Sequence, residues 1–161
     1  DRDGGKLLFL VLIFAVLFSF GRWWRDYWTV YPRYYSWAWQ YGYKEAALFV
    51  IDNFEKYDRI FFPKRNGDPH EFLLFYLKYD PKKYQNDQDK KGDYHANWYW
   101  VDKFDKFVFV NDWEVVGGVK CDIRGEKCLL ITSPGNYSDG WSKIKTIDFL
   151  DGKSAFEILE K

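Results

Sequence analysis

Hydrophobic and polar positions divide the chain into three stretches. From Leu7 to Phe20, 14 residues run with Ser19 as the only polar one. Such a run predicts a helix, and at 1.5 Å rise per residue it covers roughly 21 Å, short of the ~30 Å hydrocarbon core of a bilayer. The flanks lengthen it, because Lys6 can snorkel and a helix from Lys6 through Trp24 reaches about 28 Å. Trp23, Trp24, Tyr27 and Trp28 follow, amphipathic rings of the kind that settle at a membrane–water interface. A cleavable export signal would carry a small-x-small site after its apolar run, and Ser19-Phe20-Gly21-Arg22-Trp23 has none. The expectation is a transmembrane helix over residues 1–25 with its flanks. A buried helix of a soluble protein is the competing reading. Basic residues flank the run equally on both sides and give no orientation.

The second stretch, within residues 26–42, lacks a clean period and contains Pro32. It reads as an irregular aromatic connector at the membrane surface, with a short turn of helix.

Periodicity sharpens over residues 43–161. Between Tyr43 and Tyr57, Ala47, Val50, Ile51 and Phe54 fall on one face, which predicts an amphipathic helix. Arg59-Ile60-Phe61-Phe62 predicts a short strand. Asp68-Pro69 with Glu71 spells a helix start, N-cap and first-turn proline included, for a helix from Pro69 to Lys78. Asp80-Pro81 repeats the device for a short helix around Lys82 to Gln85. Asn86 to Asp93 reads as a solvated loop. Lys106 to Val110 and Cys128 to Thr132 are rich in strand formers. Thr146 to Leu150, then Asp151-Gly152, then Ser154 to Leu159 is a hairpin pattern with a tight turn. Helices and strands in this order predict an α/β (α+β) domain, a mixed β-sheet with packed helices and a C-terminal β-hairpin, preceded by the transmembrane helix.

Composition narrows the function classes. The chain has 161 residues, with 24 basic and 24 acidic side chains, so no basic field exists to hold nucleic acid. Aromatics reach 23% overall, and 11 of the 21 residues from Trp23 to Tyr43 are Trp or Tyr, so the enrichment has a local cause. Those rings either sit at lipid headgroups or stack on a sugar. The loop Lys64 to Asp68 lies between a strand and a helix start, a position that receives anions in α/β folds, and Lys64 and Arg65 are the candidate phosphate contacts. A solvated loop is the plain alternative, since Asp68 would cap the helix and repel an anion. Cys121 and Cys128 flank a turn between two strands; both a disulfide and a pair of buried free thiols fit that spacing. His70 and His95, the two histidines, lack metal-like spacing to the cysteines, so no metal site is expected. Asp102 and Asp105, or Asp87 and Asp89, are carboxylate pairs in polar segments where a solvated surface explains them. No nucleophile elbow, P-loop, metalloprotease helix or dinucleotide turn occurs, and no cofactor is called for.

Three segments, "DYWTVYPRYYSWAWQYGYKEA", "GDPHEFLLFYLKYDPKKYQ" and "ITSPGNYSDGWSKIKTIDFLDGKSAFEILEK", resemble the C-terminal part of prokaryotic membrane glycosyltransferases related to dolichyl-phosphate-mannose protein mannosyltransferases. The resemblance runs from the apolar stretch to Lys161. It implies a last transmembrane helix followed by an extracytoplasmic domain, in an enzyme that moves a sugar from a polyprenyl-phosphate carrier to an acceptor. The catalytic acid of such enzymes lies in an early loop with no counterpart among these residues, so the resemblance implies an accessory, non-catalytic part. The expected partners are the bilayer, an upstream multi-span region of the same protein, the lipid-linked sugar and its acceptor. The start at Asp1, without methionine, would then be a cytoplasmic loop leading into the last span. Trp37, Trp39 and Tyr41 become candidate stacking contacts, Lys64 and Arg65 candidate carrier-phosphate contacts. With Arg22 onward outside, a Cys121–Cys128 disulfide becomes a pairing to look for. A membrane-anchored module that binds a glycan or a protein, without enzymatic function, is the alternative.

Overall fold

The computed structural model describes residues 2–65, 67–121 and 125–161. Helix α1 runs unbroken over Arg2–Thr29, and its apolar side chains are exposed along its whole length. It is long and apolar enough to cross a membrane, and none of its apolar window is covered by the rest of the chain. A helix buried inside this domain would be covered, and the described residues do not cover this one. The helix continues past the Arg25 boundary read from sequence, because Arg25, Asp26 and the aromatic residues that follow contain no helix breaker before Pro32.

The connector is a run of turns around one short helix, α2 (Tyr31–Tyr34). Helix α3 (Tyr43–Asp52) and a 3-10 turn (Phe54–Lys56) follow in place of one helix to Tyr57. The buried stripe of α3 is Tyr43, Ala46, Ala47 and Val50, the i, i+3, i+4, i+7 set of one helical face. That set leaves Ile51 exposed, so the face is rotated from the one expected.

A seven-stranded sheet carries the rest. Its strands are β1 (Arg59–Pro63), β2 (Lys91–His95), β3 (Trp98–Phe104), β4 (Phe107–Val110), β5 (Cys128–Thr132), β6 (Ser142–Asp148) and β7 (Ser154–Glu160). Their spatial order is β2-β3-β4-β1-β5-β7-β6, with β1 parallel to both β4 and β5 and the other neighbours antiparallel. Helices α4 (Pro69–Tyr76) and α5 (Pro81–Gln85) lie between β1 and β2, and α6 (Asp112–Val116) between β4 and β5.

The central strands alternate between two cores. Ile60, Phe62, Leu129 and Ile131 face a large cluster with α3, α4, Phe104, Phe107, Phe156 and Ile158. Phe61, Cys128 and Leu130 face a smaller one with Val115 of α6, Trp141 and Leu159. Strand β5 is therefore buried on both sides, as its unbroken Cys-Leu-Leu-Ile run requires. The alternation sets register, since a one-residue slip would exchange the two faces.

Four local expectations need correction. Asp68 stands at the N-cap position of α4, ahead of Pro69, but its side chain makes no cap bond; its carboxylate accepts a hydrogen bond from the Trp98 indole N–H at 2.6 Å instead. Lys78, at φ 48°, takes the left-handed conformation that closes α4 short of the expected end. The solvated loop over Asn86 to Asp93 gives way to β2 from Lys91. The final hairpin closes through a longer turn, in which Gly152 N–H bonds to the Phe149 carbonyl at 3.0 Å and Phe149 N–H to the Lys153 carbonyl at 2.7 Å. Gly152 does take the positive φ expected of it, 86°. Of the turn read between Cys121 and Cys128, residues 122–124 lie outside the described residues, as do Asn66 of the Lys64–Asp68 loop and Asp1. Cys128 opens β5, while Cys121 belongs to no strand.

Candidate functional site at the carboxyl edge of the sheet

The three parallel strands end at Pro63, Val110 and Thr132. The connection leaving β1 crosses the face that holds α4, and the one leaving β4 crosses the opposite face by way of α6. Connections that diverge in this way open a crevice beyond the carboxyl ends of the strands, where α/β sheets take ligands. The residues lining this edge come from the three loops that follow, from the connector and from the final hairpin.

The loops after β4 and β5 are stitched together. Ser133 Oγ donates to the Asp112 carboxylate at 3.1 Å, Asn136 Nδ2 to the Asp112 carbonyl at 3.1 Å, and Gly135 N–H to Glu157 at 2.8 Å. Burial pushes the Glu157 carboxyl up, but the Gly135 amide and the Lys143 ammonium outweigh it and hold it below its usual range. Arg65, from the loop after β1, reaches Asp112 only at 3.5 Å with its side chain half in solvent. Its guanidinium is thus steered by a carboxylate but not saturated by one.

Beside Arg65, a cleft of about 250 Å³ is lined by Trp37, Pro134, Phe149, Ser154 and Ala155. An indole and a guanidinium lining one small cleft suit a polar ring bearing an anionic group, which would stack on the one and pair with the N–H donors of the other.

The other candidates are distributed differently. Trp39 and Tyr41 line two adjoining hollows, one toward Phe72 and Tyr76 and one toward Tyr27 and Trp28 at the end of α1. Lys64 turns to the β3 side and pairs with Asp102, its side chain 13% exposed. It does not join the Arg65 cleft. The rings Trp23, Trp24, Tyr27 and Trp28 form a continuous ladder along the last turns of α1, with centroid separations of 5.5 to 6.2 Å.

Neither carboxylate pair has the look of a catalyst. Asp105 accepts from the Tyr79 hydroxyl at 2.7 Å and from Lys83 at 2.9 Å. Burial raises its carboxyl, yet those two donors bring it below its ordinary value. Asp87 accepts from the Asp89 and Asp105 backbone amides at 2.9 and 2.8 Å, which makes it a turn-former. Cys121 and Cys128 form a disulfide. Their sulfurs and a Glu126 oxygen gather within 4.8 Å, but the disulfide consumes both thiolates and leaves no metal-binding set there.

Sequence reasoning named Trp37 and Arg65 separately. It missed that Phe149, Pro134 and Ser154 complete their cleft, and the only available signal was that loops after parallel strands converge. No known protein family, curated protein or solved structure matches the chain.

Proposed function

We propose that this chain is the extracytoplasmic accessory domain of an integral-membrane glycosyltransferase, held at the bilayer by α1, and that its Trp37–Arg65 cleft takes the phosphosugar head of a polyprenyl-phosphate carrier. The observation that carries this reading is that an exposed indole and a half-exposed guanidinium line one cleft at the carboxyl edge of the sheet, with Trp37 in the connector that leaves an uncovered apolar helix. A lipid-linked sugar offers the matching chemistry: a ring to stack, a phosphate to pair and a chain that keeps the head at the membrane surface. The resemblance to mannosyltransferase-related enzymes supports the same assignment. The disulfide supports the sidedness, because such bonds persist in oxidising compartments. The catalytic acid would come from another part of the enzyme, and no residue here is assigned a catalytic role.

The test is binding of a short-chain polyprenyl-phosphate hexose to the chain in lipid nanodiscs. Loss of a charge-assisted hydrogen bond costs ~1.5–3 kcal/mol, so Arg65→Ala should weaken binding about 10- to 100-fold. Trp37→Ala should weaken it too, while Lys64→Ala should leave it near the parent value. Equal affinity in the parent and in Arg65→Ala would refute the phosphate assignment. Capture of a phosphate-free glycan by the same cleft would favour a glycan-binding module instead.

A further inference from the structure

Helix α1, 28 residues long, spans about 42 Å, roughly 12 Å more than the hydrocarbon core of a bilayer. With the core filled by the apolar run, its last turns stand at headgroup height. Against them lies a groove of about 420 Å³ that joins Tyr27, Trp28 and Tyr31 to Trp39, Tyr41 and Leu150. Leu150 is the residue of interest. It occupies the tip of the β6–β7 hairpin, between Phe149 and the ion-paired Asp151 and Lys153, and is 44% exposed. Turn tips are ordinarily polar, and a solvated one gains nothing from a leucine. Trp39, which lines the same groove, is 69% exposed.

We propose that the hairpin tip is a second membrane contact: Leu150 enters the headgroup–acyl boundary of the bilayer that α1 crosses, and fixes the tilt of the domain against it. The proposal rests on α1 being a membrane span. What commits the surface to lipid is continuity, since the groove begins on the interfacial rings of α1 and ends on Leu150 with no intervening charged side chain among its lining residues. Asp151 and Lys153, ion-paired at 3.0 Å, flank the tip, and charged side chains of this kind meet headgroups. A leucine inserted beside such rings and flanked by a charge pair is an interfacial arrangement.

The experiment places an environment-sensitive fluorophore on Leu150→Cys, labelled without reductant so that the Cys121–Cys128 disulfide stays closed. The full chain is reconstituted in phosphatidylcholine–phosphatidylglycerol vesicles, with and without bromine on the upper acyl chain. Phe14→Cys, within the span, and Asp89→Cys, in an exposed turn between α5 and β2, serve as references. The expected result is a blue-shifted probe at Leu150, quenched several-fold more strongly by brominated lipid than the probe at Asp89, with Phe14 also quenched. Quenching at Phe14 but not at Leu150 would overturn the hairpin contact and leave the anchor standing. No quenching at Phe14 would overturn both. A blue-shifted Leu150 probe that brominated lipid does not quench would mean a protein surface, such as a second copy of the chain, covers the tip.

Discussion

Removing the Cys121–Cys128 disulfide should destabilise the domain by an amount that follows from where the bond sits. The two residues are seven apart in sequence, and with about eight residues in the closed loop the chain-entropy relation gives roughly 2.5 kcal/mol at 25 °C. The surroundings decide which side of the bond gives way. Cys128 is fully buried and bonded in both directions to Lys161, its N–H at 2.8 Å and its carbonyl at 3.0 Å. Lys127 is likewise held, its carbonyl by the Asp58 amide at 2.8 Å and its N–H by the Asp58 carboxylate at 2.9 Å. Cys121 is only half-buried, and Lys120 beside it is reached by Arg59 at a long 3.4 Å. Reduction should therefore free the segment before β5 and leave the strand in place. For a domain of this size ~2.5 kcal/mol corresponds to a Tm lower by about 8 °C. The measurement is thermal unfolding of the full chain in detergent, followed by tryptophan fluorescence, for the oxidised protein, the reduced protein and the Cys121→Ala/Cys128→Ala variant. A Tm within about 2 °C of the parent after verified reduction would refute the reasoning, by showing that the loop is closed without the bond.

Two smaller perturbations test the packing around the site. Burial pushes the His70 imidazole below its usual range, with Asp68 and Glu71 opposing it only in part. A depressed value means the fold favours the neutral ring, so its contribution is complete above about pH 6.5 and is lost as pH falls through the folded value. His70→Gln should flatten the decline in stability on that acidic side, and an unchanged pH profile of chemical denaturation would show that His70 is not its source. Asp68→Ala should cost about 1 kcal/mol through the lost Trp98 bond and not through a helix cap. A double-mutant cycle with Trp98→Phe should show most of that cost as coupling, and strict additivity would return Asp68 to the capping role.

The strands and helices that the sequence pattern revealed are those buried by period or opened by a cap signal. Strand β5 reads as a strand because both its faces are covered, and α5 because Asp80 accepts from the Lys82 amide at 2.9 Å as its composition suggests. The β2–β3 ribbon escaped because its pattern is broken twice. Strand β3 buries Val101 and Phe104, three apart, and the β2–β3 register shifts between Lys91 and Gly92. Its turn uses Ala96 and Asn97 at φ 51° and 62°, a geometry for which alanine is a poor signal. Helix α6 carries a legible start, Asn111 with Glu114 three residues later, yet five residues are too few for a period to show. The Trp37–Arg65 cleft was illegible for another reason: its residues come from the connector, the loops after β1 and β5, and the final hairpin, and only the sheet order brings those together.

A flexible tether between helix and domain would leave the cleft at no fixed position relative to α1, and the connector here is not a tether. Its backbone satisfies itself in successive turns, Trp39 N–H to the Tyr35 carbonyl at 3.2 Å and Tyr41 N–H to the Ser36 carbonyl at 3.0 Å among them. It then locks to the sheet at two points. Tyr43, buried at the start of α3, donates its hydroxyl to the Pro63 carbonyl at the carboxyl end of β1, at 3.3 Å. Gly42, at φ 104°, lies so close to β7 that a Cβ there would meet the Phe156 ring at 3.1 Å, so the chain can turn into α3 at that point only without a side chain. A connector pinned to β1 and β7 fixes where Trp37, Trp39 and Tyr41 stand relative to both α1 and the strand ends. If the proposed cleft takes a lipid-borne head, recognition would depend on that fixed geometry more than on any single contact, because the carrier's own chain would set the depth at which its phosphate is presented.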